Sequence, residues 1–331
     1  MRSAQLRRHL AIALAVVTVL AILAGNAFAG AQSSPAQGVA AQDSGPRPEV
    51  RSADANVGTN PLKDTFPLYS KYSYLYEIPR KWLPNRTNPA QPEAPDPNLQ
   101  DQPLAPNVIN PDVSFEGVNN RNGVLPPDPT GDIGPNHYVQ AVNLSFAIYS
   151  RTGTLLYGPA NVNTLFSGMG GVCETSNDGD PIVQYDHLAD RWLISQFALP
   201  NYPRGPFYEC IAISQTPDPT GAWYRYQFTV SNTKMDDYPK IGVWPDGYYM
   251  TVNQFNQGTL SWGGAGVVVF ERSKMLQGQT ARMVYFDLYS TDSNLGGMLP
   301  SDLDGPAPAA GTPNYFAQVD DDAWGYSPDQ I

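Results

Sequence analysis

Four segments of this chain share one order of residues: an Asp, a nearby Pro, a short strand, an Asn or Asp turn, and an aromatic that opens a second strand. They begin at Asp128-Pro129, Asp180-Pro181, Asp237-Tyr238-Pro239 and Asp304-Gly305-Pro306. Their turn residues are Asn136, Asp190, Asp246 and Asn314, and two residues later stand Tyr138, Trp192, Tyr248 and Phe316. The prolines recur 52, 58 and 67 residues apart. A period of this size, with room for four short strands, is the arithmetic of a propeller blade.

The texture of residues 113–331 agrees. Helical periodicity is nearly absent, and β-rich runs recur between Gly, Pro, Asn and Asp clusters. Strands are expected at 137–144, 145–149, 191–197, 209–214, 223–230, 248–255, 266–271 and 282–288. The expected fold class is all-β, with β-propeller-like repeats of four-stranded antiparallel blades: three blades plus an incomplete fourth. A β-sandwich is the alternative; it accommodates the strands but does not require the recurring order. The fourth unit reaches Trp324 and Tyr326 and stops at Ile331. It is therefore expected to be truncated at the C-terminus, and the chain to be a fragment of a longer protein.

The N-terminus reads as an export signal. Arg2, Arg7 and Arg8 precede an apolar run from Leu10 to Ala24, and Ala27 and Ala29 offer the small residues of a cleavage site. A signal peptide over residues 1–29 and a secreted, extracytoplasmic product are expected. Asn26 occupies the place of a lipid-bearing Cys, so no lipid anchor is expected. Residues 30–112 are rich in Pro, Ala, Gln, Asn and Asp and read as an extended linker. An aromatic strip at 66–82, from Phe66 to Trp82, reads as a docking segment within it.

The formal charge is −11, and loss of the three N-terminal arginines makes the mature chain more acidic still. Such a surface repels phosphate backbones and anionic lipid, so nucleic acid is not an expected partner. Two cysteines, Cys173 and Cys210, read as one disulfide in an oxidising compartment.

If the repeat is real, Asp128, Asp180, Asp237 and Asp304 occupy equivalent places at the start of each innermost strand. They are the candidate ligand-binding residues: an arc of carboxylates suited to sugar hydroxyls or a hard cation. The bland account is that Asp before Pro caps a turn. The run Asn177-Asp178-Gly179-Asp180 resembles the start of a calcium loop without its closing Glu, which makes Asp178 and Asp180 candidate Ca²⁺ ligands and Ca²⁺ the one cofactor considered. No nucleophile elbow, metalloprotease helix motif or phosphate loop occurs, and no catalytic residue is assigned. His137 and His187 read as structural. Asp128-Pro129-Thr130-Gly131 and Asp218-Pro219-Thr220-Gly221 carry the signature of a type I turn.

The stretches Gly131–Tyr138, Gly179–Asp186 followed by Asp190-Arg191-Trp192, and Tyr238–Asp246 resemble a group of large, secreted bacterial proteins without an assigned activity. The resemblance spans roughly residues 113–331 and implies export and a repetitive β-fold. It brings no catalytic residues. The expected function is a secreted, non-catalytic interaction or adhesion module of the cell envelope, with a surface glycan or protein as partner. The alternative is a carbohydrate-active propeller enzyme, a glycoside hydrolase or lyase, using the aspartates at the channel mouth.

Overall fold

In the computed structural model, which describes residues 46–69 and 111–319, the chain from Thr130 onward turns back on itself strand after strand. These residues all belong to the compact unit Gly45–Ile331. The first sheet follows chain order: β3 (Thr130–Ile133), β4 (His137–Val142), β5 (Ser145–Ser150) and β6 (Leu155–Asn161). The second repeats the pattern with β7 (Gly179–Asp186), β8 (Arg191–Ala198), β9 (Phe207–Ser214) and β10 (Trp223–Ser231). The third uses β11 (Lys234–Val243), β12 (Tyr248–Asn256), β13 (Trp262–Phe270) and β14 (Arg282–Asp287). All neighbouring strands in these sheets are antiparallel. The protein is all-β, and no sheet closes into a barrel.

Strand composition explains the layering. In β9 the alternate residues Phe207, Ile211 and Ile213 point one way and Cys210 and Ala212 the other, so both faces are apolar and both are covered. One core lies between the first and second sheets and includes Val139, Ile148, Val183, Trp192 and Trp223. A second lies between the second and third and includes Leu193, Ile213, Phe228, Tyr248 and Val268. The middle sheet is thus buried on both faces, which a two-sheet sandwich does not provide. The opposite face of the first sheet is closed by Val118 and Phe115, whose ring packs on Tyr138 and Tyr149. Of the four repeated aromatics, Trp192 and Tyr248 are fully buried, each contributing on the order of 2–3 kcal/mol through apolar area. Tyr138 and Phe316 are only half-buried.

Two expectations need correction. Residues 49–58 are not linker. β1 (Glu49–Ser52) adds to the outer edge of the third sheet beside β14, and β2 (Ala55–Gly58) adds to the second beside β10. Both strands are short, and none of their residues is fully buried, so they carry no apolar alternation to be read. The fourth unit also begins earlier than expected. β15 (Leu299–Pro300) pairs with β16 (Phe316–Ala317), so its first strand precedes Asp304. The signal peptide at 1–29, residues 70–82 of the aromatic strip, Trp324 and Tyr326 lie outside the described residues.

Cys173, in the short helix α1 (Val172–Thr175), is bonded to Cys210 on β9, with Cα atoms 5.7 Å apart. The bridge ties the segment leading into the second sheet to that sheet's third strand. Among the described residues no helix is long and apolar enough to cross a membrane.

Candidate functional site: an acidic pocket where three first strands begin

β3, β7 and β11 are each preceded or interrupted by a residue that meets a proline. Asp128 before Pro129, Asp180 before Pro181 and Tyr238 before Pro239 all take left-handed backbone conformations, with φ of 38°, 45° and 53°. Such values are costly for residues with a side chain and persist where the surroundings enforce them. The three turns bring the strand starts together. They line a pocket of about 380 Å³ with Asp128, Pro129 and Thr130 from one unit, Asp180, Pro181 and Ile182 from the next, and Tyr238, Pro239 and Lys240 from the third. The proline turns in the first strands of three sheets therefore face one cavity.

The register of the third unit is shifted by one residue. The residue before its proline is Tyr238, not Asp237, and Asp237 lies one position back in the strand. Asp237 does not line the cavity but is coupled to the group electrostatically: its charge acts on Asp236 and Lys240, and it is acted on by Asp180 and Asp128. Asp304 does not join it. Asp304 is exposed and acts on Asp132 and Asp302 instead. Those two accept the backbone N–H groups of Tyr185 and Val243, toward the other end of β7 and β11. Of the expected arc of four carboxylates, two line the cavity.

Sequence reasoning missed the residue that holds the arc together. Asn143 Nδ2 donates to Asp128 Oδ2 at 3.0 Å and to Asp180 Oδ1 at 3.4 Å, and Asn143 Oδ1 accepts the Asp180 N–H at 2.8 Å. Asp180 Oδ2 accepts the N–H of Tyr238 at 3.2 Å, crossing from the second sheet to the third. Gln184 Nε2 makes a second crossing to the Ile241 carbonyl at 2.9 Å. Lys240 supplies positive charge: its Nζ lies 3.6 Å from the centre of the Tyr238 ring and donates to the Pro239 carbonyl.

Burial and crowding set the protonation of these groups. Asp180 is pushed up to about 6, by burial first and by the Asp128 charge second. Asp237 is pushed up to about 8, by burial and then by Asp180 and Asp128. Desolvation lowers the Lys240 ammonium, against the pull of the three carboxylates. Near neutral pH Asp237 thus keeps its proton outside the lining, while within the lining Asp180 is largely ionised and faces the Lys240 ammonium.

The candidate calcium pair does not assemble. Asp178 turns away to accept the Leu199 N–H at 2.6 Å, while Asp180 is engaged by the Asn143 amide and the Tyr238 N–H. Among the described residues no three His, Cys, Asp or Glu side chains are placed to hold a metal. His137 faces Asp218 at 3.7 Å, and His187 Nε2 meets the Gly305 carbonyl at 2.8 Å; neither lines the pocket. The Asp218–Gly221 turn forms with its closing N–H to carbonyl bond at 3.1 Å, whereas the matching residues 128–131 run into β3. No protein-family model, curated protein or solved structure matches this chain.

Proposed function

We propose that the three sheets are successive blades of a propeller, and that this chain is a secreted interaction module whose ligand enters the pocket lined by Asp128, Asp180 and Lys240. One observation carries the reading: the proline turns of three sheets converge, with strained backbone, on one cavity lined by two aspartates. The chemistry suits a polyhydroxylated ligand such as a surface glycan, since the Lys240 ammonium can donate to a hydroxyl that an adjacent carboxylate accepts from. The disulfide supports export to an oxidising compartment.

A catalytic reading is favoured by a separate observation. Asp128 and Asp180 both line the cavity and share the Asn143 amide, and burial with the Asp128 charge pushes Asp180 up to about 6; two carboxyls facing one cavity are the apparatus of glycoside cleavage. A glycan array and a panel of chromogenic glycosides, run with the full chain and with Asp180→Asn, decide the matter. Binding without turnover, weakened at least tenfold by the substitution, supports the module. Turnover lost in Asp180→Asn supports the enzyme. Binding that Asp180→Asn leaves unchanged removes the pocket from both.

A further inference from the structure

Behind the pocket, in the joint between the second and third sheets, two acids are fully buried without partners. Glu209 stands on β9 with Phe207, Ile211 and Ile213 of the same face, so it projects toward the third sheet. It occupies the row Gly179–Phe197–Glu209 across β7, β8 and β9, one residue from Asp180. Asp236 stands on β11 beside Asp237, and Glu209 is the charge that acts on it most strongly. All four carboxyl oxygens are buried and none has a hydrogen-bond partner. Ser195 Oγ, also fully buried, lies beside Glu209 without meeting it in a hydrogen bond of good geometry.

We propose that Glu209 and Asp236 are held as neutral acids in this joint, and that raising the pH loosens the joint and with it the pocket that the two sheets share. An ionised carboxylate here would be fully buried with no well-formed hydrogen bond and no counter-charge, so the uncharged form is strongly favoured. The charged groups around the pair make matters worse. Asp180 on β7 and Asp237 on β11 carry the same sign as the pair. The cations of β11 are committed elsewhere: Lys234 to Asp287 at 2.6 Å, and Lys240 to the Pro239 carbonyl and the Tyr238 ring. On β14 the Tyr285 hydroxyl is spent on Gln254 Oε1. Burial accordingly pushes Glu209 up to about 8 and Asp236 well above the usual carboxylate range.

The sign of the linkage follows. Both acids are neutral at low pH, folded or unfolded. As pH rises past ~4.3, the ordinary value for Glu, the unfolded chain ionises first and stability falls. For Glu209 the loss continues up to about 8, where it ionises in the folded state as well. The Tyr238 N–H to Asp180 and Gln184 to Ile241 contacts cross the same joint, so its opening pulls the pocket apart.

Thermal unfolding of the full chain from pH 5 to pH 9, with and without added Ca²⁺, tests this. The wild-type midpoint should fall by about 5–10 °C across the range. Asp180 and Asp237 slope the same way, so the decisive quantity is the difference in Glu209→Gln, whose fall should be at most about half as large. Infrared spectra of the wild-type protein should retain a protonated-carboxyl stretch at pH 7, which needs no variant to fold. A flat wild-type profile overturns the proposal. So does an unchanged slope in Glu209→Gln, a missing carboxyl band, or a Ca²⁺-dependent rise at pH 8 that abolishes the slope, since a cation would then be the neutralising species.

Discussion

The joint between the second and third sheets has two ends, and they treat buried acids in opposite ways. β7 carries one acid near each end, Asp180 and Asp186, about 20 Å apart along the strand. At the Asp186 end every demand of the carboxylate is met. Arg272, in the short helix α2 (Arg272–Met275), donates from Nε at 2.6 Å and from its terminal nitrogen at 2.8 Å, Tyr248 Oη donates at 2.8 Å, and the Ala189 N–H at 3.0 Å. At the Asp180 end, Glu209 and Asp236 make no well-formed hydrogen bonds, and the charges that act on them are of their own sign. A buried charge is tolerable when a counter-charge and a full set of hydrogen bonds accompany it. The Asp186 end meets that condition and reads as a clasp. The Asp180 end fails it, opens into a pocket and reads as the working end.

The largest expected effect comes from breaking the clasp. Arg272→Ala leaves Asp186 buried with an uncompensated charge and should cost about 3–5 kcal/mol in urea unfolding. A loss below about 1 kcal/mol would mean that Asp186 gains water or a proton at no expense, and the contrast between the ends would collapse. The counterpart at the pocket end is Asn143→Ala. It removes the amide shared by Asp128 and Asp180 and leaves the Asp180 N–H without its acceptor, for about 1–3 kcal/mol. It should also raise the Asp180 proton affinity further above 6, detected by following its carboxyl in NMR titrations, because the amide bond favours the charged form. A drop toward the ordinary carboxylate range would show that Asn143 does not hold the arc.

The contrast was only partly legible in the sequence. The strands with apolar alternation were readable to within a few residues: β4, β5, β8, β9, β10, β12 and β14. The first strands were located by their prolines; Asp128 and Asp180 meet at one cavity, while Asp237 stands one residue back from its proline turn and outside the lining. Asp304 was misplaced because spacing alone cannot separate Leu299-Pro300 from Asp304-Gly305-Pro306 as the start of a unit; the pairing of Pro300 with Phe316 decides it. β1 and β2 escaped because edge strands need no apolar face. The acids of the joint were in plain sight, Glu209 in Phe207–Ser214 and Asp236 in Lys234–Val243. What the local pattern withholds is their environment. Whether an acid in an apolar strand meets an arginine or another acid depends on the facing sheet, and only tertiary contact supplies that.

A smaller effect refines the account of the clasp. Tyr248→Phe deletes one donor to Asp186 and keeps Arg272 in place, so about 1 kcal/mol is expected, with the ring still buried. A loss approaching that of Arg272→Ala would mean that the clasp acts as an all-or-none network, which the double variant would reveal as non-additivity.

The smallest effect belongs to Asp304, and it delimits the working end. Asp304 is exposed, and its charge raises the proton affinity of Asp132 and Asp302, whose carboxylates accept the N–H groups of Tyr185 and Val243. Asp304→Ala removes a like charge from that group. Its effect on unfolding should be within about 0.5 kcal/mol, and on the stabilising side, because a like charge is taken away. Asp304 lines no part of the pocket, so retention of any glycan that the wild-type chain binds should be unchanged, while Asp180→Asn weakens it. Equal weakening by both substitutions would extend the site to the clasp end and erase the distinction between the two ends.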